Sequence, residues 1–254
     1  RDLPRPGVGR AKVVLSEGEE DARMIRIAAV TIGQSPRTEI TTPMRKILEE
    51  GVSLVEYGLL DDATEERLSH LSKTAECPRE AVVYVTRLRD GRSVRMVKSD
   101  IVAMLRSTLG KIRDEGLSTA LILCQGEYRE AALPGMNLLH PMKLVRGIVD
   151  AFLPAGRLGV IVPVREQEAL KKTEWEREGR ELLITTGSPY GDPVFLDEAA
   201  ESLRGRIDAV VLDCLGFTVA MRRRVARIVS RPVFLPGTVV ASVLREAYGT
   251  DEGD

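Results

Sequence analysis

Short aliphatic runs alternate with amphipathic stretches along most of the chain. Ile25–Ile32 is an apolar, β-branched run with alanines that ends at Gly33, and it predicts a buried strand. Ile40, Met44, Ile47 and Leu48 then fall on one helical face, closed by Gly51. Val52–Leu60 predicts a strand and Asp62–Leu71 a helix. Ala81–Leu88 and Ser93–Val97 flank Arg89-Asp90-Gly91-Arg92, and Asp-Gly between two such runs predicts a hairpin. Ile101, Leu105, Leu109 and Ile112 mark a long helix stopping near Gly116, and Ser118–Leu123 is a strand that leads into Cys124.

The scheme then repeats. Val145, Ile148, Val149 and Phe152 mark a helix before Pro154, followed by a strand at Leu158–Val162 and a helix at Glu166–Glu178. Glu181–Thr186 predicts a strand with a glycine-bounded loop behind it, and Leu196–Leu203 a helix. Ala209–Leu212 is a strand running into Asp213-Cys214. Phe217, Met221, Val225 and Ile228 share a helical face, Pro232–Leu235 is a last strand and Thr238–Tyr248 a last helix. Strands alternating with helices imply α/β architecture, with parallel sheets covered on both faces and ligands beyond the carboxyl ends of the strands.

Two segments share a local pattern. Thr119–Gly126 and Asp208–Gly216 each contain alanine, an aliphatic run, then Cys-x-Gly. Arg26–Arg37 and Arg157–Arg165 match more loosely, each a strand followed by a loop with proline and arginine. Both halves therefore run from a first strand to a cysteine strand. Only three cysteines exist, and two of them, Cys124 and Cys214, hold the same register. Cys77, before Pro78, has no such counterpart.

Charge narrows the picture. The net charge of -1 argues against a nucleic-acid surface, which needs a concentrated positive field. Arg222-Arg223-Arg224 reads as a solvated helix face. No apolar run approaches the roughly 18 residues needed to span a bilayer. With no signal-peptide pattern in the first residues and too few cysteines for a disulfide framework, a cytoplasmic location with free thiols is the expectation.

A cysteine just past a parallel strand faces the ligand crevice, and a helix N-terminus after it favours the thiolate. Glycine two residues on allows a sharp turn and close backbone approach. Two such thiols across one crevice suit proton removal on one face of a carbon and delivery on the other, or attack on a double bond with protonation. Neither route needs a metal or organic cofactor. The Gln34-Ser35-Pro36-Arg37 loop is a candidate carboxylate or phosphate site through its N–H groups, the Ser35 hydroxyl and the Arg37 guanidinium, with a surface turn and a solvated arginine as the plainer reading. Glu127 is a candidate acid or base beside Cys124, with a solvated loop carboxylate as the plainer reading. Asp213 either repels or orients a Cys214 thiolate. His70 and His140 lack partners at zinc spacing, and His140, before Pro141, reads as a helix cap.

The motifs resemble those of AroM-family proteins. Ala28–Arg37 is similar to the family's N-terminal signature, and Leu123-Cys124-Gln125-Gly126-Glu127 to its central Cys-Thr-Gly-Glu motif, with Gln125 in place of threonine. Gly159–Val164 and Leu212–Phe217 resemble its later motifs. The likeness covers about residues 24–248 and extends to the aspartate/glutamate racemase superfamily. That resemblance implies two similar three-layer α/β/α lobes with the site in the interlobe cleft, one cysteine from each lobe. It implies a first lobe of residues 24–139 plus 237–250 and a second of 140–236; the prolines, glycines and acidic stretch of residues 1–23 predict a disordered arm before them. It puts Cys124 and Cys214 at the catalytic positions, and Gly33, Gln34, Ser35, Arg37, Gln125, Gly126, Glu127, Gly216 and Phe217 around the substrate. Amino-acid racemases of the superfamily follow the cysteines with polar residues that hold the substrate. Gln125-Gly126 and Leu215-Gly216 stand there instead, which argues against an amino-acid substrate.

The expectation is a cofactor-independent racemase or isomerase of a small carboxylate-like molecule, with neither nucleic acid nor membrane as partner. The resemblance adds homodimerisation. Two alternatives stand beside it: a non-enzymatic small-molecule binding or regulatory protein on the same scaffold, and a cysteine-dependent hydrolase or lyase assisted by Glu127 or His140.

Overall fold

The computed structural model describes residues 24–48, 51–76 and 83–249. The expected arm at 1–23, residues 250–254, Cys77 and the first two residues of the expected strand at 81–88 lie outside them. In chain order the elements are β1 (Ile25–Thr31), α1 (Thr38–Leu48), β2 (Val52–Gly58), α2 (Glu65–Glu76), β3 (Val83–Arg87), β4 (Ser93–Val97), α3 (Lys98–Asp114), β5 (Thr119–Ile122), β6 (Asn137–Leu139), α4 (Pro141–Phe152), β7 (Gly156–Val162), α5 (Glu168–Trp175), β8 (Arg180–Thr186), α6 (Pro193–Leu203), β9 (Ala209–Leu212), α7 (Val219–Val229), β10 (Val233–Phe234) and α8 (Pro236–Tyr248). Short 3-10 turns lie at Arg129–Ala131 and Arg165–Gln167.

Two parallel sheets carry the same strand order. One runs β2-β1-β5-β6 and the other β8-β7-β9-β10. The antiparallel hairpin β3–β4 is an addition to the first lobe, turning at Asp90-Gly91, where Gly91 takes φ 87° as only glycine does freely.

The buried stretches of the central strands, such as Ile27–Val30 and Ala209–Leu212, are apolar at every position because both faces are covered. Side chains alternate across a strand. Ile27 and Ala29 of β1 and Ala209 and Val211 of β9 therefore join one core, while Ala28 and Val30 pack outward under the first-lobe helices and Val210 and Leu212 under the second-lobe ones. The first of these cores is common to both lobes and includes Leu121 and Leu158, both fully buried. Each such leucine contributes about 1.5–3 kcal/mol, so packing fixes the lobes against each other.

Helices α4 and α8 pack against each other. Asp150 of α4 receives Arg177 (2.9 Å) and the buried Arg180 (2.7 Å) from the start of β8. Helix α8 packs on α1, and its Tyr248 hydroxyl accepts from Asn137 (3.3 Å), the first residue of β6. Proline opens α4, α6 and α8, where a missing N–H costs nothing. In α6 the preceding Asp192 accepts from Val194 N–H (2.9 Å), starting the helix three residues before the apolar stripe predicts.

Candidate active site

Backbone register places the two cysteines at equivalent points. Leu123 N–H donates to Val30 (2.7 Å) and Asp213 N–H donates to Ile161 (2.8 Å), in each case from the residue before the cysteine to the neighbouring central strand. Cys124 and Cys214 therefore leave their sheets at the same step. Both are free and half-buried.

Their immediate partners differ. Cys124 Sγ lies 3.3 Å from the Tyr128 hydroxyl, whereas Cys214 Sγ accepts from Gly216 N–H at 3.4 Å. Burial pushes the Cys124 thiol up, opposed by the Tyr128 hydroxyl, Gly126 N–H and Lys171. Burial likewise pushes Cys214 up, to about 11, opposed by Gly216 N–H and Lys171 and reinforced by the charges of Asp213 and Cys124. The helix N-terminus expected after each cysteine is not adjacent. Cys124 is followed by the 3-10 turn and then β6, and α7 starts only at Val219, capped by Thr218. A dipole acts within about one turn, so local hydrogen bonds and side-chain charges set the acidity instead.

Both Cys-x-Gly glycines are roofed by tyrosine. A Cβ on Gly126 would meet the Tyr128 hydroxyl at 2.5 Å, and one on Gly216 the Tyr190 hydroxyl at 2.2 Å. Tyr84 leans on Tyr128 with ring centroids 5.5 Å apart. Arg87 of the hairpin stacks over Tyr190 at 5.9 Å, joining the first lobe to the second. A cavity of about 540 Å³ opens at this junction, lined by Gln34 and Arg37, by Arg87 and Arg89 of the hairpin, and by Tyr190 and Gly216.

The Gly33–Arg37 loop is held from within its own lobe. Ser35 donates both its N–H (2.7 Å) and its hydroxyl (2.6 Å) to Asp61, and Gln34 donates to Leu60 C=O (3.1 Å) and accepts from Arg89 N–H (3.0 Å). Their side chains shape the loop. Arg37, steadied by Thr31 (3.3 Å) and Glu39 (2.6 Å), brings its charge to the cavity and lies in reach of Tyr190. Gly33 passes under the hairpin, with Thr86 where a Cβ would sit.

Other expected residues go elsewhere. Phe217 is 3% exposed and belongs to the second-lobe core, away from the cavity. Glu127 is tied to Arg146 and Arg129, so its carboxylate is already paired. Gln125 donates to Gln167 at 3.4 Å and keeps a buried carbonyl oxygen without a partner. His140 does not cap α4 with its side chain. Its Nε2 accepts Tyr128 N–H at 2.9 Å, and burial lowers its pKa. Tyr128, Tyr190 and Lys171 carry site contacts that sequence reasoning passed over. Lys171 had one signal: it stands four residues before Trp175, the single tryptophan, on the same helical face.

Among the described residues no cluster of three His, Cys, Asp or Glu could hold a metal ion, and no helix is long and apolar enough to cross a membrane.

The family profile described as AroM protein matches residues 27–248. No curated protein matches the sequence. Solved structures do match in fold. Maleate isomerase Iso from Pseudomonas putida S16 superposes with a TM-score of 0.57 at 15% identity, covering 88% of this chain and 92% of its own. Unliganded arylmalonate decarboxylase gives 0.57 at 10% identity, covering 91% and 95%. Glutamate racemase from Aquifex pyrophilus gives 0.53 at 12%, covering 88% and 84%. At these identities the likeness is one of fold.

Proposed function

The chain belongs to the AroM protein family, and from that premise we propose that it is a cofactor-independent racemase or isomerase of a small carboxylate-like molecule. Cys124 and Cys214 form its acid/base pair. The observation that carries the reading is the equivalent exit of two free thiols from two sheets, with Gly216 of the Cys214 turn lining the cavity that Arg37 also lines. One sulfur, as thiolate, takes a proton from the carbon next to the carboxylate. The other sulfur gives its proton to the opposite face, and the negative charge ends on that second sulfur. Arg37 at the cavity wall supplies the counter-charge for the substrate's anionic group.

A second reading, ligand binding without turnover, draws on burial, which works against the thiolate form of both cysteines. One experiment separates the two. The protein is incubated in D2O with phenylmalonate, maleate, L-glutamate and L-aspartate, the substrate classes in the names of proteins sharing this fold. NMR then follows isomerisation, decarboxylation and deuterium entry. The proposal expects turnover of at least one, reduced by about 10²–10⁴-fold in Cys124→Ala and in Cys214→Ala. Turnover that survives in the double variant contradicts it. Thermal stabilisation by a probe with no chemical change favours binding alone.

A further inference from the structure

A chain of charged groups joins the two thiol turns. Trp175 donates its indole N–H to Asp213 (2.7 Å), and Lys171 Nζ lies 3.3 Å from the other oxygen of that carboxylate. The same Nζ is 2.7 Å from Glu174, Glu174 accepts from Arg146 (3.0 Å), and Arg146 donates to Glu127 in the turn after Cys124. One end of the chain is thus the residue before Cys214 and the other lies in the turn after Cys124. The Lys171 side chain is only 3% exposed and Asp213 is fully buried. A buried ammonium is costly unless paired, and here two carboxylates from two elements pin it in place.

Such a cation suits the reaction proposed above. Proton transfer through a carbon needs one thiolate and one thiol, and the two exchange roles in each turnover. A cation beside one sulfur would trap the charge there. A cation within reach of both serves either arrangement. We propose that Lys171 is the positioning residue of the sulfur pair, a buried cation in the ion chain between the two thiol turns that holds one negative charge available to Cys124 or Cys214.

The groups around each sulfur sharpen the expectation. Cys124 faces the Tyr128 hydroxyl and the N–H groups of Gln125 and Gly126, with Lys171 opposing burial. Cys214 faces Gly216 N–H, Asp213 and Cys124, again with Lys171 opposing burial. Tyr84 feels Cys124, Glu174 and Glu130, and Tyr190 feels Cys214, Arg37 and Glu39. Asp213 immediately precedes one sulfur, and the ion chain through Lys171 links the turns of both.

The inference rests on the two sulfurs sharing a cleft, and its test needs no substrate. The rate of iodoacetamide alkylation is followed from neutral to alkaline pH by mass spectrometry. Cys124, Cys214 and Cys77 fall in separate tryptic peptides, so Cys77 serves as the internal reference. Lys171→Met is expected to move both the Cys124 and Cys214 profiles to higher pH and to slow each about tenfold near neutrality, as a shift of about one pKa unit requires. Lys171→Arg keeps both near the wild type. Asp213→Asn moves Cys214 to lower pH and leaves Cys124 in place. If Lys171→Met does not fold, Lys171→Met with Asp213→Asn removes the pair together, and Cys124 alone is expected to move up. Unchanged profiles in a folded Lys171 variant, or a Lys171→Met shift confined to one sulfur, overturn the proposal. The expected shifts without turnover of any carboxylate would uphold Lys171 and remove the reaction.

Discussion

The two lobes share strand order and register, yet they treat the residue before the cysteine in opposite ways. Leu123 is apolar and packs into the core common to both lobes. Asp213, its counterpart, is a buried carboxylate held by Trp175 and Lys171. The roofing tyrosines differ as well. Tyr128 is fully buried, bonded to its sulfur and leaned on by Tyr84, while Tyr190 is 53% exposed at the cavity mouth. The first lobe thus holds its thiol with a neutral hydroxyl and rigid packing, the second with backbone and charge. A repeated fold supplied two equivalent exits, and the residues around them diverged into different jobs.

Adding a methyl group to each Cys-x-Gly turn breaks that contrast most strongly. Gly126→Ala presses on the pinned Tyr128 ring and is expected to cost about 1–3 kcal/mol, as overpacking does. Gly216→Ala presses on Tyr190, which has solvent to move into, and is expected to cost less than about 1 kcal/mol. Urea unfolding of both variants measures the difference. Equal losses would mean the tyrosines are equally free.

A smaller effect tests the first-lobe support alone. Burial holds the His140 pKa below its ordinary value of 6.5, and Nε2 needs to stay unprotonated to accept Tyr128 N–H. As the pH falls below that value the unfolded chain takes up the proton first, so the folded state loses stability. This contribution is complete above pH 6.5 and is lost on the acid side as the folded pKa is approached. His140→Gln keeps an acceptor and does not titrate. Its stability is expected to fall less steeply between neutral and mildly acid pH. A slope equal to that of the wild type would show that the ring is not held neutral.

Much of this was legible in the sequence, for reasons that particular residues make plain. Ile27–Val30 and Ala209–Leu212 had to be apolar at every position because both faces are covered, and a fully apolar run is easy to see. Asp90-Gly91 marked the hairpin because few other pairs make that turn. Strand β6 was missed, since Asn137–Leu139 is three residues long and takes its place from pairing with β5. The helix expected at Glu166–Glu178 is shortened to Glu168–Trp175, because Gly179, at φ 75°, turns the chain into β8. Within the site, the sulfurs were visible because cysteine is scarce. Lys171 was not, because a lysine on a helix is solvated by default and its burial depends on Asp213, distant in sequence. Gln34 and Ser35 were read as ligand contacts because a loop after a strand faces the crevice. Asp61, which takes both Ser35 donors, comes from the turn after β2 and left no local mark.

The account depends on Cys124 and Cys214 meeting across one cleft. The most direct measurement is intramolecular cross-linking of the Cys77→Ala protein with dibromobimane, a short reagent that joins two thiols, followed by tryptic mapping. The predicted result is a single bridge linking the Cys124 and Cys214 peptides, absent from Cys124→Ala and from Cys214→Ala. Two separately alkylated peptides with no bridge would contradict it.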